Sequence, residues 1–121
     1  MTSTFDQATR DVLRDAEEVT IHTTANRDRG VVIWVVEVGD SVFARSFRGS
    51  GAKWYKSAIT DGRATLALGD RRWPVHVTQV ADRALIDEVS QTYVKKYATS
   101  PYAKEMVRPE ILPTTVRLDP M

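Results

Sequence analysis

The chain contains no cysteine, and this absence excludes several kinds of chemistry. It excludes disulfides, a thiol nucleophile and zinc ligated by cysteine. The chain also lacks an excess of positive or negative charge, because 17 Lys and Arg balance 16 Asp and Glu. This balance argues against a protein that mainly binds nucleic acid or an anionic membrane. His22 and His76 are the only histidines and lack the spacing of metal ligands, so we expect no metal site.

No apolar run is long enough to cross a bilayer, and the longest, VVIWVVEV at 31–38, has the length of a strand. The N-terminus, MTSTFDQATRD, is polar and has no apolar signal region. Motifs that bind nucleotides or build a hydrolase nucleophile elbow are also missing. We therefore expect a cytoplasmic protein without nucleic-acid or membrane partners, and its 121 residues predict a single domain, 1–121.

Apolar periodicity and turn residues predict an α+β fold. A first helix is expected over 4–18, within an N-terminal segment 1–18. Three further helices are expected at 52–60, 82–98 and 101–107. The predicted strands are 19–24, 31–38, 42–48, 63–69, 71–80 and 114–119. Because Gly-Asp turns join several of these strands as hairpins, we predict a mostly antiparallel, six-stranded split β-barrel with flanking helices.

The segment 31–38 is apolar on both of its strand faces, which is typical of a strand that is covered on both sides. In a protein of this size, the second cover is expected to be a helix or another subunit. The segment thus favours a homodimer as one of two explanations.

A basic and aromatic cluster follows, in the sequence FARSFRGSGAKWYKSA at 43–58. Arg45, Ser46 and Lys53 flank a glycine turn that leads into a helix, where free backbone N–H groups favour a phosphate. The alternative is that Arg45, which lies between two phenylalanines on one strand face, forms an ion pair with Glu37 of the hairpin partner. The sequence alone leaves both interpretations open.

Several motifs resemble the FMN-binding split-barrel superfamily, which includes pyridoxamine-phosphate-oxidase-like proteins and deazaflavin-dependent nitroreductases. They are similar above all to a short branch of unknown function. The resemblance covers about residues 19–120. The motifs are Trp34-Val35-Val36, Arg45-Ser46 to Gly49, Trp54-Tyr55, Lys96-Tyr97, and Thr115 to Pro120.

This resemblance implies a homodimer that binds FMN or a deazaflavin coenzyme between the barrel and its partner. It implies that the cofactor is held by Arg45, Ser46, Arg48, Gly49, Lys53 and Trp54. Substrate contacts are assigned to Trp34, His76, Lys96, Tyr97 and Tyr102. The alternative for the third helix is packing by Tyr93 and Tyr97, with Lys96 in solvent.

Three functions follow from these patterns. The first is a flavin- or deazaflavin-binding oxidoreductase that acts on a small molecule. The second is a cofactor-free module of the same fold that binds a small ligand or a partner. It is suggested because the chain has Ala52 and Ser57-Ala58 where the nitroreductase-like families have proline and Asn-Leu. The third is a cofactor-independent enzyme with His76, Tyr102 or Lys96 as proton carriers.

Overall fold

A computed structural model describes residues 4–121 of the protein. The helices are α1 (Gln7–Asp15), α2 (Lys53–Asp61) and α3 (Arg83–Lys96), with 3₁₀ helices at Ala103–Val107 and Pro109–Thr114. The strands are β1 (Val19–His22), β2 (Val31–Ile33), β3 (Val35–Val38), β4 (Ser41–Ala44), β5 (Arg63–Leu68), β6 (Arg71–Gln79) and β7 (Val116–Pro120). The first helix is shorter than predicted, and positions 1–3 of the segment 1–18 lie outside the described residues.

The seven strands form one antiparallel sheet in the order β2-β1-β5-β6-β7-β4-β3. The two outer strands, β2 and β3, are consecutive in the chain, so the sheet curls until its edges meet at Trp34. The predicted α+β split barrel is therefore confirmed, with one strand more than the six expected. The extra strand arises because 31–38 changes partner at Trp34: β2 pairs with β1, and β3 pairs with β4.

Adjacent residues of β3 contribute to two different apolar cores, as the two-residue period of a strand requires. Val35 packs inside the barrel with side chains such as Ile21 and Leu66. Val36 faces outward and packs with Val89 and Tyr93 of α3. A helix thus covers the second face of β3, whereas Val32 of β2 is 56% exposed.

Local signals set the ends of the helices with one exception. Gly62 ends α2 with a left-handed φ of 69°, and the Asp82 side chain caps α3 by accepting from the Ala84 N–H. The exception is the start of α2, which begins after Ala52 and is capped by no side chain among residues 4–121. None of the helices over residues 4–121 combines the length and apolarity needed to span a bilayer.

Candidate functional site

The segment after β4 forms a tight turn that is built around Ser46. The Ser46 N–H donates to Thr114 Oγ1 at 3.0 Å, and Ser46 Oγ donates to the Gly49 carbonyl at 2.6 Å. Gly49 has a φ of 84°, which favours glycine, and its N–H donates back to the Ser46 carbonyl. Because β4 ends at Ala44, residues 45–48 do not alternate between strand faces as the sequence suggested.

Arg45 is the largest fully buried side chain among the described residues, with 1% of its surface exposed. Its Nε donates to Thr115 Oγ1, and Nη1 donates to Ser90 Oγ and to the Met106 carbonyl. Nη2 donates to the Ile86 carbonyl at 2.8 Å. Four of the five N–H groups that arginine carries are therefore engaged with hydroxyl and carbonyl oxygens. Burial lowers the pKa of Arg45 below its usual range.

The ion pair between Arg45 and Glu37 is absent from the structure, so that alternative is wrong. Glu37 contacts Arg10 of α1 instead, at 3.3 Å between Oε2 and Nε. Arg45 follows the end of β4 and turns under α3, whereas Glu37 pairs in register with Val42. The two side chains thus belong to different layers of the molecule.

The start of α2 presents free hydrogen-bond donors. The first backbone bond across the helix start runs from the Lys56 N–H to the Ala52 carbonyl. The N–H groups of Lys53, Trp54 and Tyr55 consequently have no partner within the helix, and no side chain of residues 4–121 caps them. Arg48 and Lys53 are both exposed beside this helix start. Positive side chains next to free backbone N–H groups are suited to binding an anion.

A cavity of about 520 Å³ opens beside this turn and brings five of the predicted residues together. They are Trp34, Arg45, Arg48, Trp54 and Tyr102. Sequence reasoning missed the contributions of Val32 and Phe47 to the same cavity. Val32, Phe47 and Tyr102 are 56%, 45% and 58% exposed, so the cavity has an apolar rim that faces solvent in the single chain.

The α3 helix supports the cavity wall from behind. The Tyr97 ring stacks on Trp34 with 3.9 Å between centroids and 5° between planes, and Tyr93 Oη donates to the Trp34 carbonyl at 2.7 Å. Lys96 Nζ donates to the Val35 carbonyl at 2.6 Å and to the Leu13 carbonyl at 3.2 Å. Burial lowers the pKa of Lys96 to about 8.

The other predicted substrate residues lie away from the cavity lining. Tyr97 and Lys96 are on the far side of Trp34, and Tyr97 Oη donates to the Glu17 carbonyl at 2.8 Å. His76 is exposed on β6, opposite Arg63 of β5 and Asp119 of β7. Of the three proposed proton carriers, only Tyr102 lines this cavity.

Comparison with known structures places the chain among proteins with this barrel. A conserved hypothetical protein from Mycobacterium tuberculosis has a TM-score of 0.69 at 12% identity, over 99% of this chain and 81% of that chain. The heme storage protein HutZ from Vibrio cholerae has a TM-score of 0.62 at 8% identity, over 95% and 89%. The FAD-binding protein from Mycobacterium smegmatis has a TM-score of 0.56 at 20% identity, over 98% and 92%. At these identities the likeness establishes the fold.

The chain itself belongs to the family described as an uncharacterized protein conserved in bacteria (DUF2255), whose model matches residues 10–118. The prediction that the chain belongs to a family of unknown function is thereby confirmed. None of the curated proteins matches the sequence.

Proposed function

We propose that the protein binds a flavin-type cofactor, FMN or a deazaflavin coenzyme, in the cavity beside the turn after β4. We further propose that it acts as an oxidoreductase on a small molecule. The observation that carries the proposal is the composition of the cavity wall, in which Trp34, Trp54, Phe47 and Tyr102 surround a space that Arg48 also borders. Two structural relatives, one that binds FAD and one that stores heme, support a planar cofactor in this fold.

The cavity fits such a group in size and chemistry. Its volume of about 520 Å³ falls within the range of small-molecule sites, and its lining is mostly apolar. Aromatic side chains such as Trp34 and Trp54 suit a flat ring system. The ring system supplies the redox chemistry, while the protein binds and orients it.

The start of α2 is the proposed phosphate site. Arg48 and Lys53 bring positive charge, and the free N–H groups of residues 53–55 supply donors. Ser46 and Gly49 shape the turn that leads to this site. Arg45 lies beneath, where its charge raises the potential of the cavity although most of its donors are already engaged.

A homodimer belongs to the same proposal. Val32, Phe47 and Tyr102 are three of the exposed large apolar residues of the described chain, and all three line the cavity. Covering them with a second copy would remove apolar surface from water and enclose the cofactor. Sedimentation or light scattering across a concentration series tests the assembly.

The proposed site is tested by tryptophan emission, because the chain has three tryptophans. Trp34 and Trp54 line the cavity, whereas Trp73 on β6 is absent from its lining. We expect FMN or a deazaflavin to quench the emission saturably, and a Trp73→Phe variant to lose a larger fraction of its emission than the wild type. Absence of saturable binding below about 1 mM, equivalent to about 4 kcal/mol, would refute the proposal.

The phosphate site is tested by comparing FMN with riboflavin, which lacks the phosphate. We expect Arg48→Gln and Lys53→Gln to weaken the binding of FMN severalfold and to leave the binding of riboflavin unchanged. Lys56→Gln is the matched control, because Lys56 is exposed one turn further along α2, beyond the N–H groups of residues 53–55 at the helix start. An equal loss of affinity for both ligands would mean that the phosphate binds at another position. Flavin binding without turnover in the presence of a reductant would favour the binding module over the oxidoreductase.

A further inference from the structure

A second cavity, of about 610 Å³, lies at the other end of α2 and shares no lining residue with the first. Three arginines line it: Arg27 from the loop between β1 and β2, Arg63 at the start of β5, and Arg72 near the start of β6. The wall also contains the hydroxyl-bearing residues Thr23, Thr24 and Thr65. We propose that this cavity binds a phosphate-bearing anion, separately from the flavin-type cofactor.

The arginines are available for such a ligand. In the described part of the chain, none of the three forms a salt bridge, although Asp28 and Asp61 line the same cavity. Asp61 Oδ2 instead accepts a hydrogen bond from Thr24 Oγ1 at 2.9 Å. Within residues 4–121 neither carboxylate pairs with these guanidinium groups, so the three arginines can bind an anion that carries two or more charges.

The loop that carries Arg27 is held in place by its own hydrogen bonds. Asn26 Nδ2 donates to the Ile21 carbonyl at 3.0 Å, and Asn26 Oδ1 accepts from the Thr23 N–H at 2.8 Å. His22 Nδ1 contacts the Arg27 carbonyl at 2.8 Å. The His22 ring packs so closely on Gly30 that an added Cβ would lie 2.6 Å from it. The backbone of Arg27 is thus fixed beside the cavity before any ligand arrives, which lowers the entropic cost of binding.

Arg72 is also oriented in advance. Its Nη1 donates to the carbonyls of Gly69 and Arg71, both at 2.9 Å. These bonds hold the guanidinium plane while Nη2 and Nε stay free for the bidentate contact that arginine makes with phosphate.

Calorimetric titration of the full chain with inorganic pyrophosphate, at constant ionic strength, tests the proposal. We expect saturable binding that Arg63→Gln and Arg72→Gln each weaken about tenfold, as loss of a charge-assisted bond implies. Arg71→Gln is the matched control, because Arg71 is the exposed neighbour of Arg72, carries the same charge and does not line the cavity. Its affinity is expected to stay within twofold of the wild type.

Three results would overturn the proposal. One is an absence of saturable binding, and another is an Arg71→Gln loss of affinity as large as that of Arg72→Gln, which would mean unspecific attraction. The third comes from repeating the titration with saturating FMN, where competition between the ligands would show that pyrophosphate occupies the first cavity. The pyrophosphate measurement stands by itself if no flavin binds.

Discussion

Replacing Arg45 by methionine is the most informative single perturbation, because it separates a structural from a ligand-binding arginine. Methionine keeps much of the apolar stem but removes the guanidinium, whose donors reach partners in α3, in the 3₁₀ helix Ala103–Val107 and before β7. We expect the folded state to lose stability even when no cofactor is present.

The expected decrease in the free energy of unfolding follows from the hydrogen bonds that each acceptor of Arg45 loses or keeps. Thr115 Oγ1 keeps its bond to the Leu112 carbonyl, and the Ile86 carbonyl still faces the N–H four residues along α3. The Met106 carbonyl has no such substitute, because residue 109 is a proline without an N–H. One orphaned buried carbonyl and three lost charge-assisted bonds, offset by the removed cost of burying a charge, give about 2–4 kcal/mol.

Denaturant unfolding of Arg45→Met, read as the free energy of unfolding, is the assay. In a thermal scan the same loss corresponds to a Tm lower by about 10 °C. Arg48→Met is the control, since Arg48 is exposed in the same turn and its loss is expected to stay within about 0.5 kcal/mol. A change at Arg45 below about 1 kcal/mol would refute the reasoning. Intact stability together with weakened FMN binding would instead identify Arg45 as a phosphate ligand.

Two further predictions concern Lys96 and the glycines. Burial lowers the pKa of Lys96 to about 8 in the folded protein from its usual 10.5, so the unfolded chain binds more protons between these two pH values. The free energy of unfolding of the wild type should therefore rise with pH from 8 to 10.5 relative to Lys96→Met. Lys95→Met is the control, because Lys95 is the exposed neighbour. Parallel plots of unfolding free energy against pH for the wild type and Lys96→Met would contradict the prediction. Gly62→Ala should lower the free energy of unfolding by about 1 kcal/mol because of the positive φ alone, since no described atom lies within 4 Å of the new Cβ. Gly30→Ala should lower the free energy of unfolding further, because the new Cβ would also meet the His22 ring. Equal decreases in Tm for the two variants would show that the loop around Gly30 shifts to accommodate the Cβ.

The elements that could be predicted from the sequence are those whose signals are local. Helices α2 and α3 lie where apolar periodicity indicated, with Gly62 at the end of α2 and the N-cap Asp82 at the start of α3. The hairpin turns at Gly39 and Gly69 have positive φ, as a tight turn requires. Such signals act between residues a few positions apart and need no tertiary context.

The candidate site was predictable in part. Arg48 and Trp54, expected as cofactor contacts, and Trp34 and Tyr102, expected as substrate contacts, line one cavity. Lys96 and Tyr97 were expected to contact substrate, but they lie behind Trp34. Their distance from the cavity follows from how α3 packs, which periodicity along one helix does not specify.

The sequence by itself therefore determined the class of the fold, the strand and helix content and the turn that precedes α2. Tertiary structure alone decided that 31–38 divides at Trp34, because β1 and β4 are each the second strand from opposite edges of the sheet and each pairs with one half. It also decided the partners of Arg45. The apolar neighbours of Arg45 in sequence indicated an anionic partner, but its acceptors are neutral oxygens that come from residues 41 to 70 positions away. Contacts over such distances are set by the packing of whole elements, and no local pattern records them.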